Sequence, residues 1–150
     1  MALPKEVRAR AAGHIARLRA AVPDVRASWD RAEKLHVTLK FLGEVEAQRA
    51  ERLSSAAARA ARASGPFQLT IEGTGTFPPH GPPKVLWVGV GDNSGGLARL
   101  QQRLEDECSK EGFTREQRAF HPHLTLARLR RPQGARRLAA LHKEMGFAPA

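Results

Sequence analysis

The sequence predicts an α+β domain with a largely antiparallel sheet, and two observations carry that expectation. Helix and strand patterns follow one another in the order α-β-β-α-β-β-α-β-α, with strand stretches adjacent twice over, which a βαβ repeat does not produce. The 150 residues are 41% hydrophobic and 27% charged, enough apolar material for one buried core, so disordered and fibrous chains are excluded.

The elements follow in order. Residues 4–21 read as a helix opened by Pro4 in its first turn, with Val7, Ile15 and Leu18 on a buried stripe, and Pro23 ends it. Residues 25–29 form a short strand, the charged stretch Asp30–Lys34 a turn, and Leu35–Leu42 a longer strand closed by Gly43. The alanine-rich stretch 46–63 is helical and stops at Ser64-Gly65-Pro66. Strands at 67–72 and 84–90 flank a long, Pro- and Gly-rich hairpin. Leu97, Leu100 and Leu104 give a helix over 97–111; a strand at 120–129 and a helix at 134–145 complete the series. His14 and His142 fall in helices and read as surface residues. Trp29, Trp87 and Phe41 read as core.

Basic residues outnumber acidic ones 25 to 15, a net charge of +10, and 19 of the cations are arginine, whose planar fork suits phosphate. A polyanionic partner is the first expectation. Arg8, Arg10, Arg17, Arg19, Arg49, Arg52, Arg59 and Arg62 lie among alanines on solvated helix faces; the cluster Arg128, Arg130, Arg131, Arg136 and Arg137 is the better candidate patch. The lone cysteine, Cys108, cannot form an internal disulfide and has no neighbour in sequence that would activate it. No apolar run is long enough to span a membrane and the N-terminus has no signal-peptide core, so the expectation is a cytoplasmic protein.

The internal repeat that carries chemistry is short. Leu35-His36-Val37-Thr38-Leu39 and Pro122-His123-Leu124-Thr125-Leu126 share the pattern His-apolar-Thr-Leu, 87 residues apart. Alternation along a strand puts His36, Thr38 and Lys40 on one face and Val37, Leu39 and Phe41 on the other; likewise His121, His123 and Thr125 oppose Leu124 and Leu126. One His-x-Thr in a strand means little, but two copies in matching contexts point to chemistry. Two imidazoles across a site can serve as general base and general acid, because histidine titrates near neutrality. The threonine hydroxyls can donate to the free oxygens of a phosphate held between them. Phosphate-ester cleavage is the reaction class these residues suggest. His121 and His123 could form a His-x-His metal pair with His36, but no acidic residue accompanies either motif on its face, and neither metal nor cofactor is expected. His80, at the hairpin tip, reads as a solvated turn, and Phe120 as either a base-stacking or a buried residue.

The paired motifs in His36–Gly43 and His121–Arg128 resemble the 2H phosphoesterases, specifically the RNA 2′,3′-cyclic phosphodiesterases, also called 2′-5′ RNA ligases. The resemblance extends to Gly73-x-Gly75-x-Phe77-Pro78 and to Val85–Val90. It implies one domain spanning residues 1–150, made of two lobes with pseudo-twofold symmetry, mostly antiparallel sheets and a central cleft, one motif contributed by each lobe. It implies hydrolysis of the 2′,3′-cyclic phosphate ends of RNA to 2′-phosphates without a metal, and 2′-5′ ligation as the reverse reaction. Carried over, His36 is the acid that protonates the departing 3′ oxygen and His123 the base that activates water, although the two labels can be exchanged. Thr38 and Thr125 bind the phosphate oxygens. Arg128 matches an arginine after the second motif; strand parity sets it opposite His123 unless the strand bulges near Ala127. The chain departs from the family in lacking the usual first strand before Leu3 and the strands after the last helix, which predicts open sheet edges. The expected partner is RNA, not a membrane, and the expected state a monomer. Two other functions fit the same motifs: a 2H phosphoesterase acting on a small cyclic nucleotide, and a non-catalytic RNA-binding protein. Turnover separates the binder from the enzymes, and salt dependence separates long RNA from a mononucleotide.

Overall fold

A computed structural model describes residues 1–150, which divide into two compact units: 1–37, 70–91 and 122–150 in the first, 38–69 and 92–121 in the second. The first unit is built on a four-stranded antiparallel sheet of order β1-β4-β3-β2, with β1 Ser28–Trp29, β2 Thr70–Phe77, β3 Val85–Gly91 and β4 His123–Arg128. Helices α1 (Lys5–Ala21) and α4 (Ala135–Met145) supply its remaining regular structure apart from a single 3-10 turn at Ala32–Lys34. The α+β class therefore holds.

The strands alternate as their sequences demand. Along β3, Leu86, Val88 and Val90 are buried while Val85, Trp87 and Gly89 are half-exposed. Leu18 of α1, Val22 just past its end, Leu86 of β3, Ala127 of β4 and Leu138 of α4 close one core on that apolar side. The opposite, open side of the sheet is left to Trp87, Gly89, His123 and Thr125.

Several boundaries differ from expectation, each for a local reason. β2 runs through Phe77, so residues assigned to the hairpin loop are strand; Gly73 sits at a register shift between Glu72 and Thr74 with φ of 74°, a left-handed bulge conformation that glycine adopts without penalty. The expected strand at 35–42 is reduced to one antiparallel bridge, Val37 to Leu124. One sheet edge, that of β2, is not left open as expected. The outer edge of β2 pairs with the end of the chain, Ile71 and Ala150 exchanging two 3.1 Å bonds while Gly73 N–H donates to Phe147 O. Arg10 fastens that segment by donating to the carbonyls of Ala148 and Pro149.

The second unit holds α2 (Ala47–Arg62) and α3 (Gly96–Lys110). Ala56 meets Cys108 and Phe113 in a small apolar core, and Arg59 bridges Glu107 and Glu111 across the helix pair. The N-terminus of α3 is capped by Asp92, which accepts from the N–H groups of Gly96, Leu97 and Ala98. Burial raises the pKa of the Cys108 thiol, in keeping with an inert core residue. No helix is long and apolar enough to cross a membrane.

Candidate active site

The bridge between Val37 and Leu124 organises the site. Both side chains are buried, 2% and 0% exposed, so the residues flanking them turn to the open face. Antiparallel pairing about that bridge sets His36 beside Thr125, and it relates the two motifs by the local two-fold axis of any antiparallel pair. In the register of that bridge His36 is a diagonal neighbour of His123. The two histidines and Thr125 belong to the first unit, whereas Thr38 is the first residue of the second. The division between the units falls inside the first motif, where only Val37 of that segment joins the sheet.

His36 is exposed, and its Nδ1 lies 2.7 Å from the carbonyl of Lys34. A carbonyl only accepts, so Nδ1 carries the hydrogen and Nε2 is the nitrogen left for chemistry. His123 is half-buried and packs edge-on to Phe77, ring centroids 4.9 Å apart, with Trp87 tilted beside it at 6.2 Å. Phe77 and Trp87 touch each other at 5.4 Å. This aromatic wall exists because Gly75, paired with Trp87, has no side chain: a Cβ there would lie 2.1 Å from Cζ2 of the indole. Gly89, the partner of His123 on β3, is equally constrained, since a Cβ would meet the Glu72 carbonyl at 2.7 Å. The floor beside His123 is thus bare backbone.

Arg128 reaches the open face through a bulge. Leu86 pairs with Ala127 but Trp87 with Thr125, so Leu126 is an extra residue on β4, and Leu126 and Ala127 are buried in succession. The parity of the strand inverts there, and exposed Arg128 shares the side of Thr125 and His123. The bulge anticipated near Ala127 lies one residue earlier, with Leu126 O accepting from Asp30 N–H at 2.8 Å.

Other candidates move elsewhere. Lys40 does not share the His36 face: its side chain is 3% exposed and its Nζ donates to both oxygens of Glu105 and to Thr114 O. The alternation expected for 35–42 fails there because this buried ion pair outweighs it. Phe41, expected in the core, is 69% exposed, and Trp87 lines the open face. Arg137 pairs with Asp24. His14 and His142, expected at the surface, are buried at 0% and 1%. Sequence reasoning passed over Gly75 and Phe77 as site residues; the Gly-x-Gly-x-Phe spelling was the available signal. No three His, Cys, Asp or Glu side chains converge as a metal-binding set.

Against known proteins, a family model described as the 2′-5′ RNA ligase superfamily matches residues 4–149. An RNA 2′,3′-cyclic phosphodiesterase of Aeropyrum pernix is 40% identical over 143 residues, 89% of this chain and 76% of its own. The one from Escherichia coli is 38% identical over 65% of this chain, and this chain spans 52% of its length. The Thermotoga maritima relative, 36% identical over 69% of this chain, is likewise spanned over only 54%. Among solved structures, a Thermus thermophilus protein superposes with a TM-score of 0.73 at 29% identity, covering 87% of this chain and 72% of that one. E. coli LigT complexed with 3′-AMP gives a TM-score of 0.64 at 33% identity, covering 84% and 68%.

Proposed function

We propose that this chain, which belongs to the 2′-5′ RNA ligase superfamily, hydrolyses the 2′,3′-cyclic phosphate ends of RNA to 2′-phosphates through His36 and His123. The observation that carries this reading is the Val37–Leu124 bridge, which joins the two motif segments as antiparallel neighbours.

In the reaction, His123 accepts a proton from a water molecule as the water oxygen attacks phosphorus. The bond from phosphorus to the 3′ oxygen breaks, and His36 delivers the proton of its Nε2 to that oxygen. The products are a 2′-phosphate and a free 3′ hydroxyl; proton exchange with solvent resets the two rings. The Nδ1–H of His36, held on Lys34 O, fixes the ring so that Nε2 presents its proton. The hydroxyls of Thr125 and Thr38 donate to the non-bridging oxygens, whose charge grows in the transition state. Arg128 neutralises phosphate from the bulged end of β4. Exchanging the acid and base labels describes 2′-5′ ligation, the same path in reverse. The step uses neither metal nor cofactor, and the net charge of +10 suits an RNA partner.

The test is incubation of a short RNA ending in a 2′,3′-cyclic phosphate with EDTA present, followed by identification of the product. A 2′-phosphate is expected. A 3′-phosphate, loss of turnover with EDTA, or no turnover by the folded protein would overturn the reading. Equal kcat/KM on a cyclic mononucleotide would move the substrate to the small-molecule class.

A further inference from the structure

We propose that His142 is a positioning residue for this reaction: through the main-chain carbonyl of Trp87 it fixes the aromatic wall against which His123 stands. The inference rests on the function proposed above. It starts from two imidazoles buried on the apolar side of the sheet, where aliphatic side chains would pack without any polar cost.

Their hydrogen bonding has one consistent direction. Nε2 of His142 lies 2.9 Å from Trp87 O, and because a carbonyl only accepts, that nitrogen carries the hydrogen. Burial keeps His142 neutral, so its Nδ1 is an acceptor, and Nε2 of His14, 2.9 Å away, donates to it. Nδ1 of His14 is then a bare acceptor, and it is buried with no partner. One atom of the pair goes unsatisfied, a cost set against the bond made at the other end. The other end is Trp87 O.

That carbonyl sits where the ladder breaks. The register between β3 and β4 shifts between Leu86 and Trp87, opposite the extra residue Leu126, and a bulge disrupts strand pairing locally. Trp87 is the first residue past the break, paired with Thr125 on one side and Gly75 on the other. Its indole lies over Gly75, meets Phe77 at 5.4 Å and stands 6.2 Å from the His123 ring. A turn of the peptide at Trp87 therefore moves the indole, and with it the surface that orients His123. His142 restrains that peptide from behind the sheet and touches no reacting atom. Misplacement of a catalytic group by about 1 Å can cost about 100-fold in rate, so a restraint of this kind has a measurable effect.

The test compares three variants with wild type on RNA bearing a 2′,3′-cyclic phosphate, with Trp87 emission read in a Trp29→Phe background. His142→Leu keeps the volume but has no donor; His142→Gln places an amide N–H near the position of Nε2; Leu138→Ala removes a fully buried side chain from the same helix without touching Trp87 O. Expected for His142→Leu is a fall in kcat of about tenfold with KM within about twofold of wild type, together with a shifted and more easily quenched Trp87 emission. His142→Gln recovers kcat and the emission, and Leu138→Ala lowers the unfolding midpoint but leaves kcat in place. The proposal is overturned if His142→Leu retains wild-type kcat and emission, if Leu138→Ala loses as much kcat, or if folded His142→Gln recovers neither. If wild type is inert toward the cyclic phosphate, the functional reading fails, and Trp87 emission alone decides whether His142 holds the wall.

Discussion

On one face of the sheet His36 and His123 stand exposed and half-exposed beside Thr125 and Arg128; behind it His14 and His142 are buried with their ring nitrogens 2.9 Å apart. The same side chain serves two ends. In the open pair His36 ties Nδ1 to Lys34 O and turns Nε2 away from that bond, while His123 stands against Phe77 and Trp87. The buried pair uses three of its four ring nitrogens on the protein itself, and burial lowers the pKa of His14 to about 4, so it stays neutral where a proton-exchanging histidine would not. Exposure on one side of the sheet and desolvation on the other set the two pairs apart.

Substitution breaks this comparison most sharply. Alanine at His36 or His123 is expected to lower turnover by roughly 10²–10⁴-fold, the usual worth of a general acid or base. At exposed His36 the change should shift stability by no more than about 0.5 kcal/mol, as surface substitutions do, whereas at His123 it also removes ring packing on Phe77. Alanine at His142 leaves the Trp87 carbonyl and the His14 N–H without partners and is expected to cost about 1–3 kcal/mol in denaturant unfolding.

Acid sharpens the contrast next. His14 binds its proton at about pH 4 in the fold and near its ordinary value once unfolded, so the unfolded state takes up protons first as pH falls. Stability should therefore drop as pH is lowered from about 6.5 to about 4, by on the order of 2–3 kcal/mol, and level off for this group below that window. Unfolding titrations of wild type and His14→Gln check it: the variant should lose that part of the slope.

Smaller effects follow at the wall and the bulge. Gly75→Ala drives a methyl group into the Trp87 indole, with an expected cost of about 1–3 kcal/mol and a parallel loss of turnover, read by unfolding and by kcat. Arg128→Ala should raise KM for RNA and reduce by about 1 the slope of log affinity against log salt, with kcat nearly unchanged.

Much of this was legible in the sequence because it is written in periodicity. The helices at 5–21, 47–62, 96–110 and 135–145 follow from apolar spacing and from Pro and Gly stops, and the repeated His-x-Thr stands out because alternation gives each copy an aliphatic back. What escaped is what pairing decides. Leu126 carries no sign that it is the extra residue in β4, yet it turns Arg128 to the face of His123. Lys40 alternates correctly with His36 and still leaves that face, because Glu105, 65 residues later, offers a buried carboxylate. His14 and His142 are single polar residues in amphipathic helices, indistinguishable from solvated ones until their partner 128 residues away is known.

The central claim is that His36 and His123 work as an acid and a base in one step, and a pH profile of kcat/KM on RNA with a 2′,3′-cyclic phosphate end tests it most directly. Wild type should give a bell, with His36→Asn abolishing one limb and His123→Asn the other. A profile that stays flat, or that keeps both limbs in either variant, would contradict the account.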